Sequence, residues 1–184
     1  MALFDSTTAT SRASAACVAL SASFAGQVTV PGSADYQLEE DKPWSQTCWL
    51  PAACFVHPNN SHEVATCLSI VKSQGSKFAV RSSAHHSNAN FNSVDSTGVV
   101  IDVSNLKTLS LVGGNIVQVG AGCTFGELYD FVEDNNLYVV SARNLNVSIL
   151  GFALGGKLPH KVNILPFVHT AGGSSIDLLL LYKV

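Results

Sequence analysis

Along the chain the apolar positions change period, so that short strands alternate with helices. Residues 12–25 are rich in Ala and other small residues, which suits a helix ended near Gly26, and VTVPGSADY then reads as an extended segment with a turn. CFVHP at 54–58 is short and apolar with little alternation, as a buried strand requires. A helix follows at once. Asn60 and Glu63 have capping-box spacing, Val64, Cys67, Leu68 and Val71 fall on one face, and Gly75 supplies the stop. KFAVR at 77–81 is the next strand. Strand, helix and strand joined by short turns make a βαβ unit, whose strands should run parallel with a right-handed crossover. Ligands gather beyond the ends of such strands.

Ser82 to Gly98 is polar, rich in Ser and Asn, and has no apolar period, before VVIDV at 99–103 resumes as a strand. A long loop at a strand end is a place for function. LSLVGGNIVQVG at 109–120 reads as a hairpin turning at Gly113 and Gly114. Thr124 and Glu127 form a second capping box, Phe125, Leu128, Tyr129 and Val132 share a helix face, and LYVV at 137–140 returns as a strand. From Lys157 onward the text has two prolines, no clear helical period and an apolar end, and receives no assignment. The pattern as a whole is α+β.

At 184 residues with 47% hydrophobic and 12% charged positions, the chain can bury about two-thirds of its unfolded surface, in one domain or two small subdomains. Ten scattered Lys and Arg against thirteen Asp and Glu give a net charge of -3, so nucleic acid is not expected as a partner. Apolar runs such as Leu178 to Tyr182 are too short to span a membrane, and none is expected as a partner. The N-terminus carries Asp5 and lacks a leucine-rich export core, while sequons at Asn59 and Asn146 would permit glycosylation of a secreted form, so the compartment stays open. Cys17, Cys48, Cys54, Cys67 and Cys123 lack zinc-type spacing, and no metal centre is expected.

Chemistry concentrates after the KFAVR strand. His85 and His86 follow Arg81-Ser82-Ser83-Ala84, so two imidazoles and a cation sit among small residues. Small side chains let backbone N–H groups approach a phosphate, and an Arg or a nest of amides complements its charge; the competing reading is a solvated polar loop. Gly120-Ala121-Gly122 precedes the second capped helix, either as an anion receptor at a helix N-terminus or as a tight turn. Gly151 and Gly155-Gly156 admit close approach of a ligand but also mark ordinary turns. Phe91, Tyr129 and Trp49 read as packing residues rather than an aromatic cage. No GxSxG elbow is present, which sets aside nucleophilic hydrolysis.

The blocks PAACFVHPNNSHEVATCLSIVKSQGSKFAVRSSAHHSNANFNSVDSTGVVIDVSNLKTL, VQVGAGCTFGELYDFVEDNNLYVVSAR and GFALGG resemble, in order and spacing, the N-terminal half of the berberine-bridge-enzyme-like FAD-linked oxidoreductases, of the vanillyl-alcohol oxidase and p-cresol methylhydroxylase superfamily. The resemblance implies a PCMH-type FAD-binding fold, with a small parallel βαβ subdomain and an incomplete second sheet subdomain. It divides the chain into an N-terminal helix and arm (1–43), a partial FAD-binding domain (44–156) and a divergent tail (157–184). It implies FAD as cofactor, attached to His85 through the flavin 8α carbon. Arg81 heads the loop, and the backbone of Ser82, Ser83, Ala84 and His86 lies around the pyrophosphate; Ser141, Ala142, Val147 and Gly151 follow along a second cofactor loop. A neutral imidazole is nucleophilic enough for such a bond near neutral pH. The resemblance also implies a Cys17–Cys54 disulfide.

The chain departs from the family at several places. Ser82-Ser83-Ala84, Ser141-Ala142 and Leu150 stand where glycines are usual, and wherever φ must be positive each replacement costs on the order of 1 kcal/mol. Asn144 occupies the place of a second flavin-linking Cys, so a single histidyl link is expected. Family catalytic Tyr or acid residues lie beyond GFALGG, where this sequence diverges as after a truncation such as an incomplete gene model gives, and no catalytic residue is assigned. The reading is an FAD-binding oxidoreductase domain acting, in the full-length family, on a small organic substrate. The alternative is a truncated, non-catalytic fragment that binds FAD weakly or serves only in protein interaction. A third, a His-based metal module, lacks the carboxylate or cysteine neighbours that a metal site needs.

Overall fold

A computed structural model describes residues 6–113, 116–139 and 142–154, together with the strand backbones at 168–169, 175–180 and 182–183. The chain forms two compact units, Met1–Asn105 and Leu106–Val184. The division falls inside the 44–156 block, and the described strands of the tail fall within the second unit.

The first unit begins with α1 (Ser6–Ser23), which buries Ala13, Ala16, Cys17 and Leu20 as a stripe at helical spacing. Gly26, at φ +77°, turns the chain away as expected. β1 (Val28–Thr29) follows, then a turn through Gly32 and the short helix α2 (Tyr36–Asp41), where only an extended arm is expected from sequence. A 3-10 turn at Gln46–Cys48 leads to β2 (Cys54–Val56), buried along its length. α3 (Ser61–Ser73) is capped as its spacing predicts: the Asn60 side chain accepts from the Glu63 N–H, and the Glu63 carboxylate accepts from the Asn60 side-chain amide and from the Asn59 N–H rather than from the Asn60 backbone. Of its apolar face Cys67 and Val71 are buried, while Leu68 stays exposed. β3 (Lys77–Arg81) and β4 (Gly98–Asp102) complete the sheet.

Its order is β1-β2-β4-β3, with β4 parallel to both neighbours and β1 antiparallel at one edge. The βαβ strands β2 and β3 are therefore parallel, as expected, but β4 lies between them. Every residue of β4 is buried, which accounts for the apolar run Val99–Ile101 between two parallel neighbours. The expected disulfide joins Cys17 on α1 to Cys54 on β2, while Cys48, Cys67 and Cys123 are free and buried.

The second unit opens with the expected hairpin, β5 (Leu109–Val112) against β6 (Ile116–Gly120), with Gly113 at φ +62° and Gly114 outside the described residues. α4 (Phe125–Asp134) carries a full Thr124/Glu127 capping box and buries Phe125, Leu128 and Val132. β7 (Leu137–Tyr138) and α5 (Ile149–Leu154) follow. The tail, unassigned from sequence, supplies β8 (Val168–His169), β9 (Ser175–Leu180) and β10 (Tyr182–Lys183). β9 runs antiparallel to β6 in a sheet of order β5-β6-β9-β8, and β10 pairs with β7. The core of this unit gathers Val117, Val119, Cys123, Phe125, Leu128, Val132, Leu137 and Ile149, with Phe152 edge-on to Phe125. Among the described residues no helix is long and apolar enough to cross a membrane.

Candidate functional site

The loop that begins at Ser82 leaves the C-terminal end of β3, where a parallel sheet presents its ligands. Its first anchor is the strand register. Arg81 and Asp102 are opposite one another on β3 and β4, and Arg81 Nε donates to Asp102 Oδ2 at 2.8 Å. The remaining guanidinium nitrogens donate to the Glu39 carbonyl, at 2.7 Å, and to the Glu39 carboxylate. Lys42 Nζ reaches the same Asp102 oxygen at 2.8 Å, and the guanidinium lies 4.8 Å from the Phe55 ring centre.

Both the Arg81 and the Asp102 side chain are essentially excluded from solvent. Burial alone would raise the Asp102 carboxyl, but Arg81, Lys42 and the bonds from Lys42 and the Ser104 N–H outweigh it and hold it at about 2. Burial also pushes His57 below the ordinary imidazole value, against the pull of Asp102 and Glu39, so it stands neutral at pH 7. Glu39, His57 and Asp102 bring three possible ligand atoms within 4.8 Å of one another, but Arg81 and Lys42 already neutralise both carboxylates. The cluster is an ion network beneath the loop. Arg81, expected as a charge complement for phosphate, has its guanidinium committed to that network, which leaves backbone N–H groups and small side chains to meet an anion.

Beyond Arg81, Ser82 and Ala84 are buried and His85 is half-buried. Ala84 stands at φ +53°, the left-handed region in which a glycine is at ease, so of the three replacements in this loop Ala84 is the one in a conformation that L side chains resist. A left-handed residue within a run of small residues is the backbone arrangement from which anion-binding nests are built.

Two aromatic stacks flank the histidines. The His85 ring lies on Trp44, with centres 5.2 Å apart and planes 26° apart, and His86 lies on Phe91 at 4.7 Å and 17°. Trp44 and Phe91 remain 60% and 67% exposed, so each stack is open to solvent on its outer side. Phe91 thus packs within the loop, as expected, and Trp49 donates to the Pro43 carbonyl. Asn88 N–H donates to His86 Nδ1 at 3.1 Å, which places the proton of a neutral His86 on Nε2. Asn92 Oδ1 and Ser93 Oγ are buried without a hydrogen-bond partner among the described residues. Asn92 also touches the His86 carbonyl through Nδ2, at 3.4 Å, so the loop holds an unmatched acceptor that a hydroxyl-bearing ligand can satisfy.

The second expected loop lies in the other unit. Ser141 is outside the described residues. Ala142 gives its carbonyl to Tyr129 Oη, Val147 gives its carbonyl to the Phe125 N–H, and Gly151 is in α5 with open space where a Cβ would project. Gly120-Ala121-Gly122 proves to be the tight turn. A Cβ at Gly120 would meet the Leu106 carbonyl oxygen at 2.2 Å, so close backbone approach requires the glycine. The first N–H groups of α4 already donate to the Val147 and Leu145 carbonyls and to Thr124 Oγ1, which closes that helix N-terminus to an external anion.

A parallel sheet with a small-residue, histidine-bearing loop at its strand ends defines a nucleotide-cofactor module, and the comparisons specify which. The profile of an FAD binding domain matches residues 52–165. The chain is 34% identical over 145 residues to an FAD-dependent monooxygenase of Arthrobotrys oligospora, covering 77% of this chain and 28% of that one. It is 32% identical to the FAD-dependent monooxygenase yanF of Aspergillus niger, covering 78% and 24%. Among solved structures, BBE-like 1 of Physcomitrella patens superposes with a TM-score of 0.62 at 19% identity, covering 75% of this chain and 30% of that one. 6-Hydroxy-D-nicotine oxidase of Arthrobacter nicotinovorans superposes at 0.61, also at 19% identity, covering 67% and 27%. The chain belongs to the FAD-linked oxidoreductases that carry this FAD-binding domain, with the PCMH-type fold of the berberine-bridge-enzyme-like group. It spans about a quarter of the length of these curated relatives. The small-residue loop, the left-handed Ala84 and the unmatched Asn92 acceptor fit an FAD group.

Sequence reasoning missed Trp44, Thr47 and Cys48. The Trp44 Nε1 donates to the His85 carbonyl at 2.7 Å, Cys48 Sγ to the His86 carbonyl at 3.2 Å, and Thr47 Oγ1 to the Ser87 carbonyl at 2.7 Å. It also missed Glu39, Lys42, His57 and Asp102. No local spacing announces partners some forty to sixty residues apart; only the strand register of Arg81 and Asp102 is open to prediction, once β3 and β4 are paired.

Proposed function

We propose that this chain holds FAD through the loop 82–86, that His85 forms the single covalent link to the flavin, and that the cofactor serves oxidation of a small organic substrate in the assembled oxidoreductase. The observation that carries the choice of histidine is the Asn88 N–H bond to His86 Nδ1. That bond uses the one lone pair of a neutral His86, whereas the His85 ring is held by its face on Trp44 and stands at the family's attachment position by resemblance. Ser82, Ser83, Ala84 and His86 present backbone to the pyrophosphate, and Arg81 holds the loop from below. Ala142, Val147 and Gly151 are assigned to the second cofactor segment by resemblance to the family, together with Ser141.

Bound FAD supplies two-electron redox chemistry. The protein's part is to hold the cofactor in place, to give its phosphates neutral donors and to offer a ring nitrogen lone pair at one fixed point. The relatives named FAD-dependent monooxygenases motivate an oxidative role for the assembled enzyme.

The test is mass spectrometry of the denatured chain after expression or refolding with FAD. Wild type should gain the mass of FAD less two hydrogens and stay yellow after acid precipitation. His85→Ala should lose the covalent mass but still take up FAD reversibly, and His86→Ala should keep it. A wild-type chain without flavin, or attachment lost in His86→Ala and kept in His85→Ala, overturns the reading.

A further inference from the structure

Three successive carbonyls of the histidine loop, at His85, His86 and Ser87, are captured by side chains from one short segment. Trp44 Nε1, Cys48 Sγ and Thr47 Oγ1 are the donors, and the Trp44 indole also lies on the His85 ring. We infer that the Trp44–Cys48 segment is an orienting clamp for cofactor attachment, with Trp44 the positioning residue that aims the His85 imidazole. The inference rests on the proposed link at His85.

Three physical arguments support it. A carbonyl and the N–H across its peptide bond point in opposite directions, so fixing three carbonyls toward the clamp turns the amides of the following residues the other way. An indole has one donor and a broad face, and here a single side chain uses both on the same residue: the N–H fixes the His85 backbone and the face fixes its ring. Each removes a degree of freedom that a nucleophile would otherwise lose on reaching the transition state. Trp44 is 60% exposed, so core packing does not account for its orientation. Cys48 is buried and closes the clamp from inside.

Attachment is an oxidation. One N–C bond forms between the ring nitrogen and the flavin 8α carbon, one N–H and one C–H bond break, and two protons with two electrons leave to dioxygen as hydrogen peroxide. Aim affects how fast this happens, not how much FAD is bound.

The experiment measures covalent incorporation against time in the refolded full chain at a series of FAD concentrations. It yields a maximal rate and a half-saturating concentration for each variant. Trp44→Leu should lower the maximal rate roughly tenfold or more while leaving the half-saturating concentration unchanged. Trp44→Phe, which keeps a stacking face but loses the donor, should recover part of the rate. Thr47→Val should slow attachment and Thr47→Ser restore it. An unchanged maximal rate in both Trp44→Leu and Thr47→Val overturns the clamp. So does weakening of rate and half-saturation together with loss of the native circular dichroism, which would mark a merely structural role. If wild type itself takes no covalent flavin, the proposed function fails first; if wild type attaches normally and only the variants contradict expectation, the clamp alone fails.

Discussion

Asp102→Asn is the substitution that most directly tests the ion network under the cofactor loop. In the native fold one carboxylate oxygen meets Arg81 Nε and Lys42 Nζ, both at 2.8 Å, and the other accepts the Ser104 N–H at 2.9 Å, with the side chain fully buried. A carboxyl held at about 2 against an ordinary 3.8 contributes roughly 2.4 kcal/mol at neutral pH. Asn keeps the shape but removes the charge, leaving Arg81 with Glu39 alone, so a loss of about 2–3 kcal/mol is expected, below the 3–5 kcal/mol range of a fully broken buried pair. For a chain of this size that lowers Tm by about 5–10 °C. The folded carboxyl binds its proton less tightly than the unfolded one. Its contribution is therefore complete above about pH 4 and fades as pH falls toward 2. The assay is urea denaturation of wild type and variant at several pH values. The difference between the two should be constant from pH 7 to about 4 and shrink below that. A difference under 1 kcal/mol at pH 7, or one that does not shrink on acidification, would refute the reasoning.

Other expectations follow from single features. Closing 37 residues of chain separation with the Cys17–Cys54 disulfide should stabilise the fold by about 3–4 kcal/mol, read as the change in urea midpoint of the Cys17→Ser, Cys54→Ser pair and reproduced by reducing the wild type. Relieving the left-handed Ala84, at φ +53°, with Ala84→Gly should gain about 0.5–1 kcal/mol after the added freedom of the unfolded chain is counted; a lower midpoint would contradict the strain. Gly120→Ala would drive a Cβ to 2.2 Å from the Leu106 carbonyl oxygen and 2.7 Å from the Thr108 nitrogen, both backbone atoms that cannot swing aside. A loss of about 3 kcal/mol or more, seen in thermal unfolding, is expected.

The elements legible in the sequence are those with local signatures. α3 and α4 declare themselves by caps and face periodicity, and β5 and β6 by their glycine turn. β4 is an apolar run that only a strand buried on both faces can accommodate. What escaped depends on distant chain. α2 is only six residues long, its N-cap Asp35 makes no side-chain cap bond and it buries none of its residues, so it carries no amphipathic signal. β9 is recognisable only through its pairing with β6. The histidine loop itself was legible through its residues, but its supports were not: Trp44 and Thr47 are chosen by what lies across the fold, and Arg81 faces inward because Asp102 is its register partner.

The placing of β4 between β2 and β3 imposes a schedule on biosynthesis. On an emerging polypeptide β2 and β3 appear first, yet neither can pair with the other, because the lane between them is reserved for residues 98–102. Until that stretch clears the ribosome, β3 has no partner strand and β2 has only β1, and the sheet's non-local closure waits on the last of its strands. Cys17 and Cys54 have both emerged by then, so an oxidant acting on the nascent chain can join them before the sheet has closed. Ribosome-stalled chains released to a protease just short of residue 98 and well past residue 102 should accordingly differ in resistance, and the longer ones alone should protect the segment that carries His85.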